Sequence, residues 1–307
     1  MKPQPIDDML EKAASLLDVQ GCVAAGPVCG SFTTLATSLL SKRRKILFVT
    51  AHIDDADESI AMLQDLGVQA TLFPALEVEL SKDVIATRYA LLEQLQRGDQ
   101  PEVIVSSVSA LMQKTPAPER VDSIVRRIRI GDVCSLASLQ EWLVDAGYER
   151  RETVDESSQF AIRGGIIDIA TAAGDFVRLD FFGDTIESMN EIDPVSLGSD
   201  CAIDEVILAT STQVESECTL VDHISSTWSV VLDDIGEISQ QAKSYFDRVV
   251  DSSSLAHLDD VQSTMVRRLS SVIGCCGPPA IGVDIELPIS SSPIFSTVAS
   301  EALEELA

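Results

Sequence analysis

The 307-residue sequence predicts an α/β protein: a parallel-sheet domain interrupted by an inserted α+β domain with an antiparallel sheet. Three observations predict it. Strand-like and helix-like segments alternate over residues 1–115, which implies parallel strands covered on both faces. Short strands separated by glycine turns crowd residues 148–192 around a single preceding helix. The α/β pattern then resumes from about Asp204. The expected division is residues 1–119 for the first part of the α/β domain, 120–203 for the insertion, and 204–307 for the return, with an incomplete C-terminal end.

The elements follow in order. Ile6–Leu17 is patterned as an amphipathic helix and Cys22–Ala25 as a short apolar strand. A helix over Thr33–Leu40, a buried strand over Ile46–Thr50 and a helix over Asp54–Leu66 come next, the last stopped by Gly67. Val68–Phe73 is a strand, Val84–Gln96 a helix closed by Gly98, and Val103–Ser106 a strand. Pro116 and Pro118 then break the chain. Ser135 is a good N-cap for a helix running to Ala146, with Gly147 as its stop. The inserted strands are Tyr148–Val154, Gln159–Arg163, Ile166–Ile169, Val177–Phe182 and Ile186–Ile192. Val230–Leu232 is a strand, Ile235–Val249 a helix, and Val298–Leu306 a further helix.

The composition, 45% hydrophobic and 23% charged, is that of a folded protein. No apolar run is long enough to span a bilayer and the first ten residues lack a signal pattern, so a cytoplasmic location without membrane association is expected. The formal charge is −27. Residues 1–119 hold 10 Lys/Arg against 16 Asp/Glu, residues 120–200 hold 8 against 16, and residues 201–307 hold 4 against 17. Every segment is acidic, which argues against DNA binding by this chain alone. Seven cysteines at scattered positions, with no CxxC pair, and three separated histidines (His52, His223, His257) support neither a zinc site nor a disulfide framework. No Ser-His-Asp or Cys-His arrangement can be built from them either, so no catalytic residue is proposed.

The turn Gly26-Pro27-Val28-Cys29-Gly30-Ser31-Phe32-Thr33-Thr34 stands between a strand and a helix, where a phosphate-binding P-loop sits. A working loop ends in Gly-Lys-Ser/Thr, because its lysine neutralises phosphate and its hydroxyl holds magnesium. Here Phe32 stands for that glycine and Thr33 for that lysine. The sheet domain is thus expected to be P-loop-NTPase-like with a degenerate nucleotide site at Gly26, Gly30, Ser31, Phe32, Thr33 and Thr34, and without cofactor or metal. A plain strand-to-helix turn reads the same residues as well. Val230-Val231-Leu232-Asp233-Asp234 looks like the magnesium-organising strand of such enzymes, but Asp234 also suits an N-cap for the next helix.

Alternation in Arg178-Leu179-Asp180-Phe181 puts Arg178 and Asp180 on one sheet face. If strand pairing brings Arg163 alongside, an Arg/Asp patch with aromatic flanks results. Such a patch fits a protein interface, and it fits equally a solvated face of self-cancelling ion pairs worth under about 1 kcal/mol each.

The stretches Arg163-Gly164-Gly165-Ile166-Ile167-Asp168-Ile169 and Val177-Arg178-Leu179-Asp180-Phe181-Phe182-Gly183-Asp184 resemble the domain shared by UvrB and bacterial transcription-repair coupling factors. The resemblance extends to Gly131–Tyr148, Val103–Gln113 and Leu72-Phe73-Pro74 with the helix around Arg88, and covers roughly residues 20–250. Phe32 and Thr33, and the short passage from Pro74 to Arg88 with Tyr89 as the only tyrosine nearby, are closer to the coupling factors than to UvrB. UvrB has an intact loop and a long tyrosine-rich hairpin. The resemblance implies a non-catalytic adaptor that recruits UvrA, with Arg163, Arg178, Asp180 and Phe182 as contact residues. It implies RNA polymerase and DNA as partners only through motor domains that this chain lacks. The alternatives are a nucleotide-dependent repair ATPase or helicase subunit using Gly26–Thr34, and a truncated fragment of a full coupling factor.

Overall fold

A computed structural model describes residues 21–25, 31–76, 81–193, 198–275 and 283–285. The helices expected over Ile6–Leu17 and Val298–Leu306, and the loop residues Gly26–Gly30, lie outside them.

Strands β1 (Gly21–Ala25), β2 (Ile46–Thr50), β3 (Ala70–Phe73) and β4 (Val103–Ser107) alternate with helices α1 (Ser31–Ser41), α2 (Ile53–Asp65) and α3 (Lys82–Arg97). Short helices α4 (Val108–Met112) and α5 (Val121–Ile124) lead to β5 (Val125–Arg129) and α6 (Leu136–Asp145). The middle of the chain supplies β6 (Glu149–Arg150), β7 (Gln159–Arg163), β8 (Ile166–Ala170), β9 (Phe176–Phe182), β10 (Thr185–Ile192), β11 (Ser199–Ala202) and β12 (Glu205–Ala209). Then come α7 (Leu220–His223), β13 (Ser229–Leu232), α8 (Ile235–Arg248), α9 (Leu258–Arg268), β14 (Ser271–Cys275) and β15 (Val283–Ile285).

Seven strands form one sheet in the order β15-β1-β14-β13-β2-β4-β3, with every pairing parallel. The strands are apolar on both faces, as burial under two helical layers requires. On one face Ile46, Phe48, Val103, Val105, Val231 and Ile273 pack with Leu40 of α1 and Ala56 and Leu63 of α2. On the other, Leu47, Val49, Ile104, Val230 and Val272 pack against α3, α4, α8 and α9. This is a mixed α/β protein with a parallel sheet, as expected.

The second sheet has the order β11-β10-β9-β8-β7-β6. Its long pairings are antiparallel, but β6 pairs parallel with β7, so the sheet is mixed rather than purely antiparallel. The expected strand Tyr148–Val154 contracts to Glu149–Arg150 for a related reason. The Tyr148 hydroxyl is buried, donates to Ala209 O at 3.0 Å and accepts from Ala172 N at 3.0 Å, which ties that end of the strand inward. Gly147 before it has φ +88°, and a Cβ there would lie 2.7 Å from Ser211 Oγ and Thr212 Cγ2, so both backbone and space demand glycine.

After Asp204 the chain does not return at once to the parallel sheet. β12 first pairs antiparallel with β5, Glu205 opposite Arg129 and Ala209 opposite Val125. Helix α9 and strand β14 are absent from the sequence reading. The only apolar residues of α9 that are buried are Val261 and Met265, one stripe too narrow to stand out in a polar stretch. Elsewhere local chemistry sets the boundaries: Ser135 Oγ caps α6 by accepting from Ser138 N at 3.1 Å, and Asp234 Oδ1 caps α8 by accepting from Glu237 N at 3.0 Å.

Two buried polar groups knit the layers. The Arg88 guanidinium lies 4.0 Å above the Phe73 ring and donates to Pro74 O at 2.7 Å and Gln113 Oε1 at 3.1 Å. Burial pushes its pKa down to about 9. Gln113 Nε2 donates onward to Leu76 O at 2.8 Å and the Tyr245 hydroxyl at 2.7 Å, joining the end of β3 to α8. The second group is His223, whose Nε2 lies 3.0 Å from Pro116 O and 3.1 Å from Thr115 Oγ1. Its Nδ1 has no partner among the described residues.

Burial pushes the His223 pKa down from 6.5 to about 4. The folded state thus holds this ring neutral, and its contribution is complete above pH 6.5 and lost as pH falls toward 4. Urea denaturation across that window should show a loss on the order of 3 kcal/mol from this residue. The His223→Gln variant should show a correspondingly flatter pH profile. A profile identical to the wild type would remove His223 as the cause.

Candidate partner-docking face

The second sheet has one buried face and one that is open only in part, because Val154 packs with Ala161, Ala170 and Ile192 at one end of it. Phe160, Ile167, Ile169, Leu179, Ile186 and Met189 point inward and pack with Leu139 and Leu143 of α6. Period-2 alternation turns their neighbours outward. Register places Arg163 opposite Ile166, Ile166 opposite Asp180, and Asp168 opposite Arg178. Arg163, Arg178 and Asp180 are therefore brought onto one face by pairing.

What organises them is Asp168, which the sequence reading left without a role. Its carboxylate is only 2% exposed. Arg178 engages it bidentately, Nε to Oδ1 at 2.6 Å and Nη2 to Oδ2 at 2.9 Å. Arg163 Nη2 approaches the same Oδ2 at 3.3 Å. One buried anion thus serves two cations, and Asp180 on the same face supplies the second negative charge. Hydrogen bonding to Asp168 is also the main cause holding the Arg178 pKa above its ordinary range. The two arginines differ in availability: Arg178 is 19% exposed and already committed to Asp168, whereas Arg163 is 50% exposed with a single long contact.

The other two residues differ again. Asp180 accepts a hydrogen bond from Ser188 Oγ at 2.6 Å, across the bulge between Ile186 and Ser188. Phe182 ends β9 and is 77% exposed, an aromatic ring with no structural task. Ile166, beside Arg163 and Asp180, is partly exposed as well. Val133 is 78% exposed and bridges Thr185, the cross-strand partner of Phe182. The face therefore reads as two arginines over a buried acid, flanked by apolar side chains, a composition suited to anchoring another protein. A signal for Asp168 was present: it is the lone acid in Ile166-Ile167-Asp168-Ile169-Ala170. A charge in a buried strand needs a partner.

The degenerate-loop residues fall differently. Gly26 and Gly30 lie outside the described residues, and Ser31 and Phe32 are placed only as the start of α1. Thr33 and Thr34 are buried in α1, and Thr34 Oγ1 lies 3.3 Å from Ser59 Oγ. Asp233 follows β13 and donates its backbone N–H to Val49 O at 2.9 Å. Burial pushes its carboxyl above the usual range, and Asp55, Asp234 and Glu237 push the same way. The Thr33 hydroxyl faces it and pulls in the opposite direction, yet no well-formed hydrogen bond joins them. Asp234 is occupied in capping α8. Among the described residues no group of three or more His, Cys, Asp or Glu is arranged to hold a metal. No described helix is long and apolar enough to cross a membrane.

Residues 127–213, which carry the whole open face, match the UvrB interaction domain family. Similarity beyond that match points to transcription-repair-coupling factors, to which the chain is homologous over about half its length. It is 33% identical over 187 residues to that of Myxococcus xanthus, 56% of this chain and 16% of that protein. The values are 32% over 170 residues for Mycobacterium bovis, 50% and 14%, and 30% over 184 residues for Bacillus subtilis, 55% and 15%. The chain thus spans about one-sixth of the length of these relatives.

Replacing Asp168 by Asn keeps the shape but removes the charge that two arginines share. The Asp168→Asn variant should lose on the order of 2–3 kcal/mol of stability in chemical denaturation. A loss within experimental error would mean that the pair contributes nothing to the fold.

Proposed function

We propose that this chain is a non-catalytic adaptor of transcription-coupled nucleotide excision repair that recruits UvrA through the open face of its second sheet. The observation that carries the reading is the pair Arg163 and Arg178 held over buried Asp168 beside exposed Phe182. Arg163 offers free donors for a partner carboxylate, Arg178 is the fixed member, and Phe182 supplies an aromatic anchor. Asp180 borders them and rejects acidic neighbours that approach off register. The match to the UvrB interaction domain supports UvrA as the partner, because a domain shared with UvrB can present the same surface.

The same reading takes the seven-stranded sheet as a P-loop-NTPase-like scaffold with a degenerate nucleotide site. Thr33 stands where phosphate needs a lysine, and burial penalises the Asp233 anion that magnesium would need. It also divides the chain into a sheet domain (1–119 and 204–307) and an inserted UvrA-interaction domain (120–203). Contact with RNA polymerase and translocation on DNA are not assigned to this segment.

Binding of purified UvrA, followed by biolayer interferometry, should weaken on the order of 100-fold in the Arg163→Ala, Arg178→Ala double variant. Phe182→Ala alone should weaken it about 10-fold or more. Undiminished binding by a folded double variant would sink the proposal. A calorimetric titration with Mg-ATP should be flat; a saturable heat would instead favour a nucleotide-dependent repair enzyme.

A further inference from the structure

The segment charges conceal a local reversal. Residues 19–53 contain no Asp or Glu, although acids number 49 in 307 residues, and their only Lys/Arg are the four consecutive residues Lys42, Arg43, Arg44 and Lys45. These follow the C-terminus of α1 and precede β2, so they lie at the N-terminal edge of the parallel sheet. Arg43 and Arg44 both donate their backbone N–H to Leu40 O, which holds the run against the end of α1. Lys42 and Arg43 are exposed. Lys42, Arg43 and Arg44 have no ion-pair partner among the described residues.

The edge continues in register. Ser229 N donates to Lys45 O at 3.0 Å, and Ser270 N donates to Trp228 O at 2.9 Å, so the starts of β2, β13 and β14 stand level. Between them are exposed Ser225, Ser226 and Thr227, and no acid occurs from Ser225 to Leu232. Beyond them α9 ends in Arg267 and Arg268 on the same edge. Arg268 is paired with Asp222 at 3.0 Å, while among the described residues Arg267 has only Thr264 Oγ1 of its own helix at 3.4 Å. On the far side Lys45 donates to Gln100 O at 2.8 Å and stands near Asp99 and Glu102, which bound the row.

We propose that this edge, carried by Lys42, Arg43, Arg44 and Arg267 with the hydroxyls of Ser225–Thr227 between them, docks the phosphate backbone of duplex nucleic acid. Unpaired cations interleaved with hydroxyl donors are the groups that bind phosphodiester oxygens. A protein partner is favoured by apolar or aromatic anchors, and residues 42–45 and 225–227 contain none. A single strand is favoured by exposed aromatics for base stacking, and Trp228, the aromatic at this edge, is fully buried. Phosphodiester oxygens carry no sequence information, so binding through them is independent of sequence. The acidic remainder of the chain repels the duplex everywhere else, so it confines contact to this edge and makes it strongly salt-dependent.

Fluorescence anisotropy of a short labelled duplex with the full chain tests this. Binding is expected at low salt, weakening as salt rises. In the Lys42→Gln, Arg43→Gln, Arg44→Gln variant, affinity should fall at least about 10-fold and the log–log salt slope by about 2–3. Arg267→Gln, on a different helix, should lower the slope by about 1, which keeps the test open if the triple variant folds poorly. The Arg163→Ala, Arg178→Ala variant should bind the duplex as the wild type does, which separates this edge from the UvrA face. No duplex binding at low salt overturns the proposal, as does binding indifferent to both edge variants. Preferential binding of a poly-glutamate peptide, lost with the same substitutions, overturns it in favour of an acidic protein partner.

Discussion

The carboxylate of Glu93 joins the two halves of this molecule. It sits on α3, 2% exposed, and meets Arg127 of β5 through Nη2 at 2.8 Å and Nε at 3.2 Å. Arg97, one turn along α3, reaches it from the solvent side. Arg127 also reaches Glu205 of β12, which Arg129 grips at 2.9 Å. Three arginines and two glutamates thus bind a helix of the parallel-sheet layer to the strand pair that leads into the second sheet. Buried charges of this kind are weak contributors compared with apolar packing, but losing one partner costs on the order of 3–5 kcal/mol. Their value is in fixing one orientation, because only one placement of β5 on α3 leaves neither ion alone.

A related device recurs at the proposed docking face in a different balance. At the junction, three arginines share two glutamates. At Asp168 a single buried acid holds two arginines, and Asp180 balances the second from the same face. An arginine fixed beforehand loses less conformational freedom on binding than one ordered by its partner. Rigidity from Asp168 and adaptability at Arg163 are therefore complementary properties of one cluster. Phe182 adds an apolar anchor that no packing within the chain requires.

Much of this was legible in the residues. The apolar runs at Ile46–Thr50 and Val103–Ser106 required burial on both faces, and both strands lie inside the parallel sheet. Ser135 and Asp234 cap helices because their side chains reach backbone N–H groups three residues on, a relation contained within four residues of sequence. The Arg178/Asp180 side of β9 followed from alternation alone. Where the reading failed, the missing information was distant. The chain turns to pair β12 with β5 across some eighty residues, and β6 joins β7 in parallel, choices that no local pattern encodes. Helix α9 escaped notice because its buried stripe has only two members.

Sequence by itself determined the parallel-sheet class, most strand and helix positions, and the placing of Arg178 and Asp180 on one side of β9. Each follows from periodicity or from the chemistry of one side chain. Tertiary structure alone decided that Asp168 is the shared counter-ion, that Arg88 is buried against Phe73 and Gln113, and that Lys42–Arg44 and Arg267 lie along one edge of the parallel sheet. The physical reason is common to all three. A charge is defined by what it faces, and in a sheet what it faces is set by strand register and sheet order, which join residues far apart in the chain.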